Sequence, residues 1–131
     1  MILVDTSIWV EVFRDRSGRV RAALERALDG DDVVLTRFHQ LELLQGALDD
    51  REWSLLQEHL ASQDYLECRP DTWPEAARIY FDLRRIGKTV RSPIDCCIAQ
   101  IALEHDVLLL HRDHDFEVIA AVRRLREKRL L

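Results

Sequence analysis

Short apolar segments alternate along this chain with longer segments in which apolar residues recur every three or four positions. Ile2–Val4, for instance, is followed at once by the polar residues Asp5, Thr6 and Ser7. Short apolar segments that end at polar turns are typical of strands buried on both faces of a parallel sheet. We therefore predict strands over Ile2–Val4, Val33–Leu35, Asp64–Cys68 and Val107–Leu110.

The segments between these strands have the spacing of amphipathic helices. Phe38, Leu41, Leu44 and Leu48 form one apolar stripe, which is the pattern of a helix that packs one face on a core. Ser92 is a typical N-cap, because a proline follows it at the first helical position. The predicted helices begin near Ile8 and then cover Arg19–Leu28, Phe38–Leu48, Asp50–Ser62, Thr72–Ile86, Pro93–His105 and Phe116–Lys128. This alternation predicts an α/β fold in which helices cover both faces of a parallel sheet.

Composition predicts one globular domain over residues 1–131, since 47% of the residues are apolar and 33% are charged. The net charge of −5 argues against a protein that coats nucleic acid without specificity. Only Lys88 and Lys128 are lysines. The excess of arginine suits phosphate contacts, but GC-rich codon usage explains it equally well. The cysteines lack metal-site or disulfide spacing, and no apolar stretch is long enough for a membrane, so we expect a cytoplasmic protein.

Several acidic residues are expected near the carboxyl-terminal edge of the sheet, where open α/β sheets bind their ligands. Asp5 follows the first predicted strand and Asp113 follows the last. Asp95 lies in the first turn of a helix, and such helices often start near the same edge. Glu42 lies in the helix after the second strand, where leucines flank it on both sides, so periodicity does not fix its face.

A shared metal ion would explain these acids together. Carboxylates that crowd one pocket repel each other, and a bound divalent cation removes that cost. Oxygen ligands without nitrogen or sulfur favour Mg²⁺ or Mn²⁺ over zinc. Simpler explanations remain open for each acid taken alone: Asp5 and Asp95 as acids at helix starts, Glu42 as an exposed helix residue, and Asp113 as a turn residue.

His111 and His114 are a weaker candidate for a metal site. They flank Asp113, and Asp115 follows directly, which resembles a transition-metal patch. A turn does not fix the geometry that zinc needs, and no cysteine lies nearby in the sequence. We therefore expect both histidines to be solvated.

Four segments of the chain together resemble a known family. They are MILVDTSIW (residues 1–9), LELLQGA (41–47), TVRSPIDCCIA (89–99) and LHRDHDF (110–116). Each segment alone is weakly specific, but the ordered set is similar to PIN-domain ribonucleases, specifically the VapC-type toxins of VapBC toxin–antitoxin modules. The segments are spread over nearly the whole chain.

The resemblance implies roles for individual residues. The residues that match the family's metal-holding quartet are Asp5, Glu42, Asp95 and Asp113. Asp115 matches an additional acid, which would ligate the metal or replace Asp113. Thr6 or Ser7 matches a hydroxyl that supports the first acid. Arg91 and Ser92 flank the third acid, and Arg91 is expected either to contact substrate phosphate or to pair with a neighbouring carboxylate.

The resemblance also implies the fold, activity and partners. It implies a three-layer α/β/α fold with a short central parallel sheet, and a Mg²⁺- or Mn²⁺-dependent endoribonuclease that cuts structured RNA such as transfer or ribosomal RNA loops. It further implies a homodimer that a cognate antitoxin neutralises in a larger complex. Residues around Trp9, Val12 and Phe13, with Leu41 and Leu44, are candidates for the antitoxin groove, although core packing is the competing explanation.

Two alternatives to a nuclease remain on the sequence alone. A receiver-like signalling module also gathers acids around Mg²⁺, but it needs a lysine after a late strand, and none is present near Asp113. A regulatory binding protein with structural acids would retain its function after Asp5→Asn or Asp95→Asn substitution.

Overall fold

The computed structural model describes residues 1–131. Its strands are β1 (Ile2–Val4), β2 (Val33–Thr36), β3 (Tyr65–Leu66), β4 (Leu108–His111) and β5 (Glu127–Arg129). Its helices are α1 (Thr6–Arg14), α2 (Arg19–Leu28), α3 (Arg37–Gln45), α4 (Asp50–Ala61), α5 (Thr72–Arg85), α6 (Pro93–His105) and α7 (His114–Ile119). The predictions for β1 to β4 and α1 to α6 are confirmed, with ends displaced by a few residues. None of the helices combines the length and apolar character that a bilayer crossing requires.

All strands run parallel in one sheet, in the order β3-β2-β1-β4-β5. Successive side chains of a strand point to opposite faces of the sheet, so each strand contributes to two separate cores. Leu3 and Leu109 pack in the core that includes α5 and α6, whereas Val4 and Leu110 pack in the core that includes α1 and α2. Helices therefore cover both faces, and the predicted three-layer α/β class is confirmed.

Local capping defines several helix ends. Asp5 accepts a hydrogen bond from the Ser7 backbone N–H and is the N-cap of α1, so the capping explanation for Asp5 is correct. Ser92 accepts from the Ile94 N–H and begins α6 as predicted. Helix α5 ends before Gly87, whose φ of 75° is a left-handed conformation that glycine adopts without strain.

The C-terminal region differs from the prediction. The predicted helix over Phe116–Lys128 is wrong, because α7 ends at Ile119 and residues 127–129 pair with β4 as β5. An unpaired β4 would leave a row of backbone groups at an exposed edge, which β5 covers. The expectation that His111 is solvated is also wrong: it belongs to β4, is fully buried, and lies 2.7 Å from the Glu127 carboxylate.

A substitution at Leu130 tests whether the C-terminal segment packs against the core. It is 4% exposed and packs in the same core as Ile2 and Val4. We expect Leu130→Ala to lower the free energy of unfolding by about 2–4 kcal/mol, as core Leu→Ala changes do. Arg129→Ala, at a largely solvent-facing position, should change it by less than about 0.5 kcal/mol. Urea unfolding measures both, and equally small effects would mean that the C-terminus is not packed.

Candidate functional site

The candidate site lies between the neighbouring strands β1 and β4, whose chain connections lead to opposite sides of the sheet. From β1 the chain passes through α1 and α2 to β2 on one side, whereas from β4 it passes through α7 to β5 on the other side. Such a reversal leaves a crevice at the carboxyl ends of the two strands. Asp5 directly follows β1 and Asp113 lies just beyond β4, so the topology places both at this crevice.

The crevice contains a pocket of about 340 Å³ with an acidic lining. The lining residues are Asp5, Thr6, Ser7, Val10, Glu11, Glu42, Asp95, Arg112 and Asp113. They include the four acids of the predicted quartet and both hydroxyl residues that follow the first acid. Arg91, Ser92 and Asp115, which the sequence also selected, lie outside this lining.

Hydrogen bonds hold both carboxylate oxygens of Asp5. Oδ2 accepts from the Ser7 backbone N–H at 3.0 Å and from the Ser7 hydroxyl at 2.6 Å. Oδ1 lies 2.9 Å from Nε2 of His39. Burial raises the pKa of Asp5, but the hydrogen bonds from His39 and Ser7 outweigh burial, so this pKa lies below its usual value. Asp5 is therefore ionised at neutral pH.

Glu42 reaches the pocket from α3, which settles the face that periodicity left undefined. The Thr6 hydroxyl donates to its Oε1 at 3.4 Å. Burial, and then the negative charge of Asp5, raise the pKa of Glu42 above its usual value. The Glu42 carboxylate thus lies in an environment that penalises its own charge.

Three acids at the starts of α6 and α7 are the most crowded. Asp95, Asp113 and Asp115 each offer a carboxylate oxygen within 4.8 Å of the others. Burial, a hydrogen bond with Asp115 and the charge of Asp113 raise the pKa of Asp95 to about 8. The position of Asp95 in the first turn of α6 favours its anion, but burial and like charge outweigh that effect. Without a cation, Asp95 is therefore protonated at neutral pH.

Arg91 pairs with carboxylates, which is one of the two roles that the sequence left open. Its guanidinium contacts Asp113, and its Nε lies 3.2 Å from Oδ2 of Asp115. Its backbone N–H also donates to Asp115, at 3.1 Å. Burial raises the pKa of Asp115, but the bonds from Arg91 outweigh burial and the pKa is lowered. Ser92 acts as the cap of α6, so its contribution to the site is to fix where Asp95 lies.

Sequence reasoning missed three residues at the site. Glu11 and Arg112 line the pocket and pair at 3.4 Å, and His39 supports Asp5 from the buried side. Arg112 was detectable, because it directly precedes Asp113 at the end of β4. His39 had one local signal: it follows Thr36 by three positions, which is the spacing of a capping box, where Glu or Gln is usual.

The donor set of the pocket suits a hard divalent cation. Its lining supplies carboxylates and hydroxyls but no histidine or cysteine, which favours Mg²⁺ or Mn²⁺ over zinc. Burial, and then the neighbouring carboxylates, raise the pKa values of Glu42 and Asp95, so a bound cation would offset a cost that both anions carry. His114 forms a hydrogen bond with Glu117 and does not line the pocket, so it adds no nitrogen ligand to this donor set.

Comparison with known proteins is consistent with this architecture. Residues 2–122 match the PIN domain family. The chain is 39% identical over 134 residues to ribonuclease VapC11 of Mycobacterium tuberculosis, with 95% of this chain and 96% of the relative covered. Its fold is similar to VapBC-1 from nontypeable Haemophilus influenzae, with a TM-score of 0.77, 18% identity, and 99% and 98% of the two chains covered. It is also similar to VapBC-5, from the VapBC family of toxin–antitoxin systems in Mycobacterium tuberculosis, with a TM-score of 0.66, 24% identity, and 98% and 96% covered. The chain therefore belongs to the PIN-domain family and, within it, to the VapC proteins.

Proposed function

We propose that this chain is a cytoplasmic endoribonuclease toxin that requires Mg²⁺ or Mn²⁺ and is neutralised by a cognate antitoxin. The observation that carries the proposal is the convergence of four carboxylates, distant in sequence, on one pocket at the switch point of the sheet. The 39% identity to a protein named as a ribonuclease supports the reaction class.

Asp5, Glu42, Asp95 and Asp113 would hold the cation. When bound, it neutralises charge on the scissile phosphate and activates the attacking water. Ser7 and Thr6 fix Asp5 and Glu42 by the hydrogen bonds described above. Asp95 would hold the cation as an anion, so metal binding would release its proton to the solvent. A ligand role for Asp115 stays a prediction, since Asp115 does not line the acidic pocket, whereas Asp113 does.

Arginines beside the pocket are suited to position RNA. Arg112 lines both the acidic pocket and an adjoining pocket of about 500 Å³, which Arg14 and Arg19 also line. Guanidinium groups match phosphate geometry with two parallel hydrogen bonds. We propose an unpaired loop of a structured RNA, such as a transfer or ribosomal RNA, as the substrate, because unstacked bases are accessible to side chains there.

Cleavage assays with total RNA test the activity. The protein is expected to cut RNA with Mg²⁺ or Mn²⁺ and to stop when EDTA is added. Because water is the attacking group, an RNA with a 2′-O-methyl group at the cut position should still be cleaved. Cleavage that persists in EDTA, or that requires the 2′-hydroxyl, contradicts the proposed mechanism.

An apolar groove separate from the acidic pocket is the proposed antitoxin site. It has a volume of about 420 Å³ and ten apolar lining residues, among them Trp9, Phe13, Leu28 and Leu56. Trp9, Val12 and Phe13, which the sequence analysis selected, line this groove, whereas Leu41 and Leu44 do not.

Phe13→Asp is expected to weaken antitoxin binding on the order of tenfold to a hundredfold, as loss of an aromatic anchor does. Phe13 is 65% exposed, so the substitution should leave folding intact. Phe81→Asp, at a 40% exposed position on α5 outside the groove, is the matched control. Calorimetry with the cognate antitoxin measures both, and equal affinity for the two variants would exclude the groove.

The homodimer and the larger toxin–antitoxin complex stay predictions. Light scattering on the purified chain, alone and with its antitoxin, measures both assemblies. A monomer at all concentrations would contradict the homodimer. A mixture that never exceeds the mass of one toxin and one antitoxin would contradict the larger complex.

A further inference from the structure

We infer that His39 is a positioning residue for the metal site: it donates a fixed hydrogen bond from Nε2 to Oδ1 of Asp5 and leaves one acceptor position of that carboxylate open to the cation. Because Asp5 is a ligand only if the pocket holds a metal, the role of His39 rests on the proposed function. None of the roles that the family resemblance implied falls on His39.

The surroundings of His39 fix which ring nitrogen carries hydrogen. Its Nδ1 accepts from the Thr36 backbone N–H at 3.1 Å, and a backbone N–H is always a donor. Nδ1 therefore carries a lone pair, and the hydrogen of the neutral ring is on Nε2. That nitrogen lies 2.9 Å from Oδ1 of Asp5, so it is a donor to the carboxylate. The ring is fully buried, so water cannot substitute for either partner.

The hydrogen bond from His39 limits which acceptor positions of the Asp5 carboxylate remain free. An ionised carboxylate offers about four lone-pair positions, two on each oxygen. The Ser7 backbone and hydroxyl fill both positions on Oδ2, and His39 fills one on Oδ1. One lone-pair position on Oδ1 remains free. Because Asp5 lines the acidic pocket, this position is available to a cation there. His39 and Ser7 together thus orient Asp5 as a ligand through a single oxygen.

His39 also connects Asp5 to the helix that carries Glu42. It occupies the third position of α3, and its bond to the Thr36 N–H completes the capping box of that helix. Glu42 lies three positions later, on the same side of α3. A Glu at position 39 would complete the same capping box but place another carboxylate against Asp5. An imidazole supplies the acceptor for Thr36 and the donor for Asp5 without adding negative charge.

Mn²⁺ affinity measured by calorimetry tests this role directly. His39→Leu is expected to bind Mn²⁺ roughly 10–100-fold more weakly, the cost usual when a residue that orients a ligand is removed. His39→Gln should restore most of the affinity, because its amide offers an acceptor and a donor separated by one carbon, as imidazole does. Thermal unfolding in EDTA checks that both variants fold. Equal affinity in a folded His39→Leu variant, or equal loss in both variants, would overturn the inference.

A measurement on the unsubstituted protein covers the case in which His39→Leu fails to fold. Long-range ¹H–¹⁵N correlation spectra report which imidazole nitrogen carries hydrogen. We expect hydrogen on Nε2 and a bare Nδ1, both without metal and with Mg²⁺; hydrogen on Nδ1 would overturn the inference. The Asp95→Asn variant distinguishes failure of the proposed His39 role from failure of the proposed metal site. If the unsubstituted protein binds Mn²⁺ and Asp95→Asn does not, the metal site stands and only His39 is in question; if the unsubstituted protein binds no Mn²⁺, both proposals fail.

Discussion

The Asp95→Asn variant is expected to cleave RNA on the order of 10²–10³-fold more slowly than the unsubstituted protein, the range for loss of one electrostatic contributor in an active site. Asn has nearly the shape of Asp and can still donate a hydrogen bond to Asp115, so the pocket should keep its geometry. What the variant lacks is the negative charge that the cation would require. The initial rate of cleavage at saturating Mn²⁺ measures the effect.

Asp71→Asn is the matched control for this loss. Asp71 is exposed at the start of α5 and its side chain makes no capping hydrogen bond, so its amide variant should cleave RNA at the unsubstituted rate. Equal cleavage by the Asp95→Asn and Asp71→Asn variants would refute the metal-dependent mechanism. It would instead support the regulatory binding protein with structural acids that the sequence left open.

The metal-free protein is expected to become less stable as the pH rises from about 4 to about 8, because of Asp95. Its pKa is about 8 in the folded protein, against 3.8 as the usual value. Between these values the folded state holds a proton that the unfolded state has released, so raising the pH favours unfolding. Asp5 and Asp115 act in the opposite sense, since their pKa values are lowered and their contribution is lost only as the pH falls below about 4.

Asp95→Asn should remove the larger part of this pH dependence and leave the part that comes from Glu42, whose pKa is also raised. The variant's melting temperature in EDTA is expected to exceed that of the unsubstituted protein by several degrees near pH 8 and to match it near pH 4. Mn²⁺ should raise the melting temperature of the unsubstituted protein and leave that of the variant unchanged, because a ligand at about 100 times its dissociation constant adds about 2.7 kcal/mol to the protein that binds it. Thermal unfolding from about pH 4 to about pH 8.5 measures both effects. Parallel pH profiles for the two proteins in EDTA would contradict the assigned environment of Asp95.

The sequence predicts the parts of the site that depend on local order along the chain. Asp5 and Asp113 follow short apolar strands, and Ser92 with Pro93 marks the start of the helix that carries Asp95. A parallel sheet brings these three positions to one edge. Glu42 is different, because the apolar residues on both sides of it give α3 no distinct polar face. Its position depends on how α3 packs, which periodicity does not describe.

Other features of the site and fold depend on contacts between distant segments. His39 resembles an ordinary helix residue in the sequence, and only the folded chain places it against Asp5. The sequence left two roles open for Arg91, contact with substrate phosphate or pairing with a carboxylate, and the fold places Asp113 and Asp115 beside it. Strand β5 is short and mostly charged, so it lacks the apolar run by which the other strands were recognised. It forms because the edge of β4 offers backbone partners.

Anomalous diffraction from crystals soaked in Mn²⁺ at about pH 8, where Asp95 can ionise, tests the central claim most directly. We expect a manganese peak in the acidic pocket, within ligand distance of carboxylate oxygens from Asp5, Glu42, Asp95 and Asp113, and no such peak in the Asp95→Asn variant. An ordered pocket that stays free of manganese, or a peak that lies only outside it, would contradict the account.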